Sequence, residues 1–169
     1  MNKKTIYIIV AVLVVIIVVA AAAIALTYKA PAKTVTVSVA KATSLQFAVN
    51  ATSAGTTTTL NFAGENIGTS NLIVRIDYPA YNMSFILNYG TQKASSSLNS
   101  GTTWTSDVWA TDLSSWGARR TGEVTALGNW NGKGTTYTYT STSAGVTSSI
   151  TIYNISVNPK LAASLFQTS

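Results

Sequence analysis

Apolar and small polar residues alternate along much of this chain, and a period of two leaves few choices of local structure. Val35, Val37 and Val39 alternate with Thr34, Thr36 and Ser38. The pattern continues through Leu45, Phe47 and Val49, then Leu60 with Phe62. Leu72, Val74, Ile76 and Tyr78 make a further run, as do Met83, Phe85, Leu87 and Tyr89. Successive side chains of a strand point to opposite faces, so these runs predict strands with one buried and one wet face. The apolar positions hold β-branched and aromatic residues, which suit a pleated surface.

Turn chemistry divides the runs. Pro79-Ala80 predicts a turn between the Leu72 and Met83 strands. Thr52-Ser53-Ala54-Gly55 and Thr142-Ser143-Ala144-Gly145 predict two hairpin tips ninety positions apart. At that offset Phe47 matches Tyr137, Val49 matches Tyr139, Leu60 matches Ile150 and Phe62 matches Ile152, through duplication or through shared turn chemistry. Asn131-Gly132 carries the type I′ hairpin signal and would set Trp130 against Lys133, Ala126 against Tyr137 and Val124 against Tyr139. One stretch breaks the alternation. Ser106 is placed to cap a short helix over Asp107–Trp116, with Gly117 just past its end. Trp109, Leu113 and Trp116 then share one face, as in a lid over an open sheet edge. The expected fold class is all-β, an immunoglobulin-like β-sandwich preceded by a single N-terminal transmembrane or signal helix.

That helix is read from Ile6–Leu26, 21 residues without a charge. At about 1.5 Å rise per residue it spans roughly 30 Å of hydrocarbon. Lys3 and Lys4 precede it, which places the N-terminus in the cytoplasm and everything after Tyr28 outside. Its length fits a retained anchor, while Ala23-Ile24-Ala25 fits a signal-cleavage site. The expected organisation is a cytoplasmic n-region over 1–5, an anchor or signal over 6–26, a linker over 27–33 and an exported domain over 34–169 at the cell surface.

Composition removes most chemistries. The chain has no Cys and no His, which excludes disulfides, Cys nucleophiles and Cys/His metal or haem sites. The formal charge of +6 shrinks to +3 from Ala32 onward, and the pair Arg119–Arg120 is the largest basic cluster. No basic stripe with interleaved aromatics exists, so nucleic acid is not an expected partner. Ser38-Val39-Ala40-Lys41 matches S-x-x-K but lies in an alternating strand without the companion motifs. Asn131-Gly132-Lys133-Gly134 has the wrong spacing for a phosphate loop. The acids Glu65, Asp77, Asp107, Asp112 and Glu123 are sparse; Asp77 suits pairing with Arg75, and Asp107 suits a helix N-terminus. Trp104, Trp109, Trp116 and Trp130 are read as packing residues rather than a glycan platform. No catalytic residue, metal site or cofactor is expected.

The domain from Ala32 holds 43 Ser or Thr among 138 residues. Within it, Asn50-Ala51-Thr52, Asn82-Met83-Ser84 and Asn154-Ile155-Ser156 are N-x-S/T acceptors, so Asn50, Asn82 and Asn154 are candidate glycosylation sites on an exported chain. The strand Thr34–Ala40 (Thr34, Val35, Thr36, Val37, Ser38, Val39, Ala40) follows the membrane segment directly. It is a candidate to leave its own domain and complete a neighbour's sheet. Head-to-tail addition of that kind does not close and builds a filament.

The layout of signal-like helix, N-terminal strand and Ser/Thr-rich β-domain with glycan acceptors resembles archaeal surface filament subunits of the donor-strand type, often called threads. The resemblance implies a cleaved leader and Thr34–Ala40 as donor; the long run Ile6–Leu26 departs from a short leader. The functional expectation is a non-catalytic cell-surface structural protein, a filament or envelope subunit whose partners are further copies of itself or cell-envelope proteins. The alternative is a monomeric, membrane-anchored extracellular binding or adhesion module, including a stator-like role.

Overall fold

A computed structural model describes residues 39–143 and 146–168. Ile6–Leu26 and Thr34–Ser38 therefore lie outside the described residues. Among the described residues no helix is long and apolar enough to cross a membrane.

Eight antiparallel strands form one sheet: β1 (Ser44–Ser53), β2 (Thr56–Glu65), β3 (Ile73–Tyr78), β4 (Met83–Asn88), β5 (Lys93–Ser97), β6 (Thr105–Asp107), β7 (Thr136–Ser143) and β8 (Val146–Val157). The order across the sheet is β6-β5-β4-β3-β2-β1-β8-β7. The expected all-β domain is what the chain builds. Its described strands hydrogen-bond in a single continuous order. β1 to β6 pair in chain order as a meander, and the β7–β8 hairpin joins the free side of β1.

The period-two pattern becomes one apolar face with in-register rows. Phe47 pairs with Phe62, Phe62 with Ile76 and Ile76 with Phe85. Val49 lies between Leu60 and Ile152. The rings of Phe47 and Phe62 stack at 5.0 Å. Leu60, Ile76, Leu87 and Ile152 are fully buried. Each contributes about 1.5–3 kcal/mol relative to exposure.

The turns follow the sequence in most places. Pro79–Tyr81 forms a 3-10 turn between β3 and β4, closed by Asn82 in the left-handed region at φ 54°. Ala54 and Gly55 both have positive φ, 47° and 79°, at the β1–β2 tip, as a two-residue type I′ turn requires. Ser143 pairs with Val146 around the second expected tip. The two hairpins also share their register: Val49↔Leu60 corresponds to Tyr139↔Ile150, and Phe47↔Phe62 to Tyr137↔Ile152.

The segment after β6 differs from expectation. It is helical far beyond Trp116, through α1 (Trp109–Asp112), a π-turn (Leu113–Gly117) and α2 (Ala118–Leu127). Ser106 belongs to β6, and Val108 precedes the helix without a side-chain cap. Gly117 is helical at φ −64° and ψ −44° instead of ending the helix. A Cβ there would stand 2.8 Å from Leu113 Cδ1 and 2.9 Å from the Tyr89 hydroxyl. A side chain at Gly117 would therefore force the ends of the Leu113 and Tyr89 side chains to shift.

The hairpin expected around Asn131-Gly132 is absent, because Val124 and Ala126 lie on α2. Asn131 Oδ1 instead accepts the Lys133 amide at 2.9 Å, and the Trp130 indole donates to the Lys133 carbonyl at 3.0 Å. Trp116, Leu127 and Trp130 join the sheet's apolar face in one core, with the Trp116 ring 4.3 Å from that of Phe85. The lid therefore covers a face and not an edge.

Candidate interaction edge

The sheet ends at two unequal edges. β6 is three residues long. β7 is eight residues, Thr136–Ser143, and is the outermost strand on its side among the described residues, with further contacts at Tyr137 and Tyr139. Edge strands in general expose a row of backbone N–H and C=O groups, which proteins blunt with Lys, Pro, a bulge or brevity. β7 carries no charge and no Pro, and its ladder to β8 runs without a register shift. Its Thr-Tyr alternation favours strand geometry. Thr136, Thr138, Thr140 and Thr142 are exposed, while Tyr137 and Tyr139 are half-buried against the core with rings 5.7 Å apart.

The outer face beside this edge is a lattice of small polar groups. Thr140, Ser149, Thr52 and Thr57 form one row across β7, β8, β1 and β2; Thr138, Thr151, Asn50 and Thr59 form the next. Cross-strand hydroxyl contacts tie them together: Thr52 to Thr57 at 2.8 Å, Thr138 to Thr151 at 3.1 Å and Thr142 to Thr147 at 3.0 Å. Apart from Glu65, these four strands contain no charged residue. The Ser/Thr-rich composition is thus the wet side of the same period-two pattern.

The sequence-derived sites fall in different places. Val39 and Ala40 were expected to end the strand Thr34–Ala40, but they belong to a 3-10 turn, Val39–Lys41. Val39 is buried in this domain's own core, and the Ala42 amide donates to its carbonyl. Burial of Val39 favours the turn over continued extension. Asn50 is half-buried on the outer face of β1, where its Oδ1 accepts from the Thr59 hydroxyl at 2.8 Å. Asn82 and Asn154 are exposed.

The acids do not converge on a common cleft. Asp77 pairs with Arg75 at 2.9 Å, as expected, and accepts the Ser84 hydroxyl at 2.6 Å. Arg75 also donates to the Leu165 carbonyl at 3.1 Å, which fastens the C-terminal segment across β3. Glu123 is buried on α2. Asp107 and Asp112 interact: burial first, then the charge of Asp107 and a hydrogen bond to it, push Asp112 from 3.8 up to about 6. No group of three metal-ligating side chains is present among the described residues.

A gap of about 10 Å³ lies between α2 and the sheet, lined by Leu45, Phe47, Phe62, Ile67 and Val124 with Arg120. It is the size of one water and mostly apolar, too small for a substrate. The four tryptophans make separate contacts: Trp116 with Phe85, Trp109 edge-on to Tyr89, Trp104 beneath Arg75 and Trp130 with Lys133. They form no shared platform.

β7 as the outermost described strand was missed in the sequence, although its uncharged Thr-Tyr run was visible. The competing turn signal at Asn131-Gly132 assigned it a partner that proved helical. The chain matches no protein-family model, and no curated protein matches it.

Proposed function

We propose that this chain is an exported, non-catalytic structural subunit of the cell surface, belonging to a filament or an envelope layer. Copies assemble head to tail when the segment Thr34–Ser38 of one adds as a strand to the sheet of the next. The feature that carries this reading is the alternating, uncharged Thr-Val segment Thr34–Ser38 directly after the apolar run Ile6–Leu26. Strand addition needs such a segment, and main-chain hydrogen bonds then supply affinity. Thr34–Ser38 alternates Thr and Val with no charge, and five residues match a typical strand length of about 5–6. Val39, buried at the start of the domain, anchors the base of this arm. The apolar run Ile6–Leu26 supplies the route of export, either as a cleaved signal or as an anchor.

The test is assembly of a single-site variant. Val37→Asp places a carboxylate on the apolar face of the arm and is expected to abolish polymer on sizing and electron microscopy. The domain should keep its cooperative unfolding, because Val37 precedes the described core. Polymer formed at the wild-type level by Val37→Asp would refute strand addition through this segment. A stable monomer from the wild-type exported chain would favour the anchored binding module.

A further inference from the structure

We infer that Asn154 is the one acceptor, of the three N-x-S/T sites, that the folded domain presents for N-glycosylation. This rests on the export proposed above. A glycosyltransferase must grip the acceptor Asn and the hydroxyl two residues later together, so both side chains must be reachable from solvent.

Asn50 fails this requirement. β1 is flanked on both sides, with Asn50 opposite Thr59 on β2 and Thr151 on β8. Its Oδ1 accepts from the Thr59 hydroxyl at 2.8 Å and from Tyr153 at 3.4 Å. The Thr52 hydroxyl is itself bonded to Thr57. Asn82 is exposed, but its carbonyl holds the Ser100 amide at 2.7 Å. Its partner Ser84 lies inside β4, 1 % exposed, with its hydroxyl bonded to Asp77.

Asn154 differs in the exposure of its two side chains. It is exposed, and it stands in the left-handed region at φ 53°. The β1–β8 register shifts here: Tyr153 faces Ala48 while Ser156 faces Gln46, so β8 carries one extra residue. Such a bulge lifts backbone out of the ladder. β7 ends its ladder at Thr136↔Tyr153; the buried Ile155 still donates its amide to the Thr135 carbonyl at 3.1 Å, and the Asn154 side chain stands outward from the strand. Ser156 is only partly buried.

In the reaction, the Asn154 side-chain nitrogen bonds to the anomeric carbon of a lipid-phosphate-linked oligosaccharide. The bond from that carbon to the phosphate oxygen breaks, the lipid phosphate leaves with the electron pair, and the amide proton passes to a base of the transferase.

Peptide mass spectrometry of the protein from its native cells tests the assignment. Glycan mass is expected at Asn154, with Asn50 and Asn82 bare. Ser156→Ala, which retains Asn154, should remove all of that mass without altering the fold. Glycan on Asn50 or Asn82 would mean modification before folding and would overturn the assignment. Bare Asn154 on chains recovered from sheared surface material would overturn it while leaving export intact. Bare chains found only in the cytosol, starting at Met1, would overturn export and the assignment together.

Discussion

At the scale of single residues, the carboxyl pair Asp107–Asp112 makes the domain's stability depend on pH. Asp112 is raised from 3.8 to about 6, by burial first and then by Asp107. The folded state therefore holds a proton that the unfolded chain releases between those values. The stabilisation is fully present below about pH 4 and is lost as pH rises through about 6. Asp112 is partly solvated, and screening reduces the effect to about 1 kcal/mol. Asp112→Asn keeps a hydrogen-bond donor for Asp107 and removes the second charge. It is expected to raise stability at pH 7 by about that amount and to flatten the profile between pH 4 and 6, as read by denaturant titration. An unchanged profile would remove this pair from the account. The pair was not legible in the sequence: Asp107 ends a strand, Asp112 ends the first helical turn, and only the packing of those elements joins them. Asp77 was legible, because two residues on one strand share a face and Arg75 stands at that spacing.

At the scale of elements, the strands were legible and the helix only in part. Period two over six or more residues, bounded by Pro79 or by Ala54-Gly55, marks a strand unambiguously. Ala118–Leu127 is harder, because Val124, Thr125 and Ala126 alternate for three residues as a strand would. Over a longer window Trp116, Glu123, Leu127 and Trp130 are all buried, and their spacing fits a helical face. Glycine misled in the same stretch: Gly117 signals a helix end, yet the approach of Leu113 and Tyr89 is what excludes a side chain there. Gly117→Ala is accordingly expected to destabilise the domain by about 1–3 kcal/mol, the range for overpacking. The Tyr89 and Leu113 contacts should loosen with it, and thermal unfolding measures the sum. An alanine variant as stable as wild type would show that the helix moves freely on the sheet.

At the scale of the whole molecule, the meander and its added hairpin could not be read from the sequence, because the pairing of β1 with β8 joins residues about a hundred positions apart. Alternation says which face of a strand is buried and leaves its neighbours open. That pairing nonetheless decides which described strands are outermost: β6, three residues long, at one side and β7, eight residues long, at the other. Under the strand addition proposed above, each copy has one arm to give, so its polymer would be linear and have a direction. A copy that begins at Val39 would keep the sheet while lacking the arm. It should bind the growing tip, receive the last arm and stop elongation, shortening filaments well below equimolar amounts. Filament length distributions against the dose of this truncated copy would measure it, and lengths indifferent to dose would mean that growth does not pass through the arm. A core that starts at Val39, with its arm outside, would then act as a dosage-sensitive brake, letting a cell set the reach of its surface by how much clipped protein it makes.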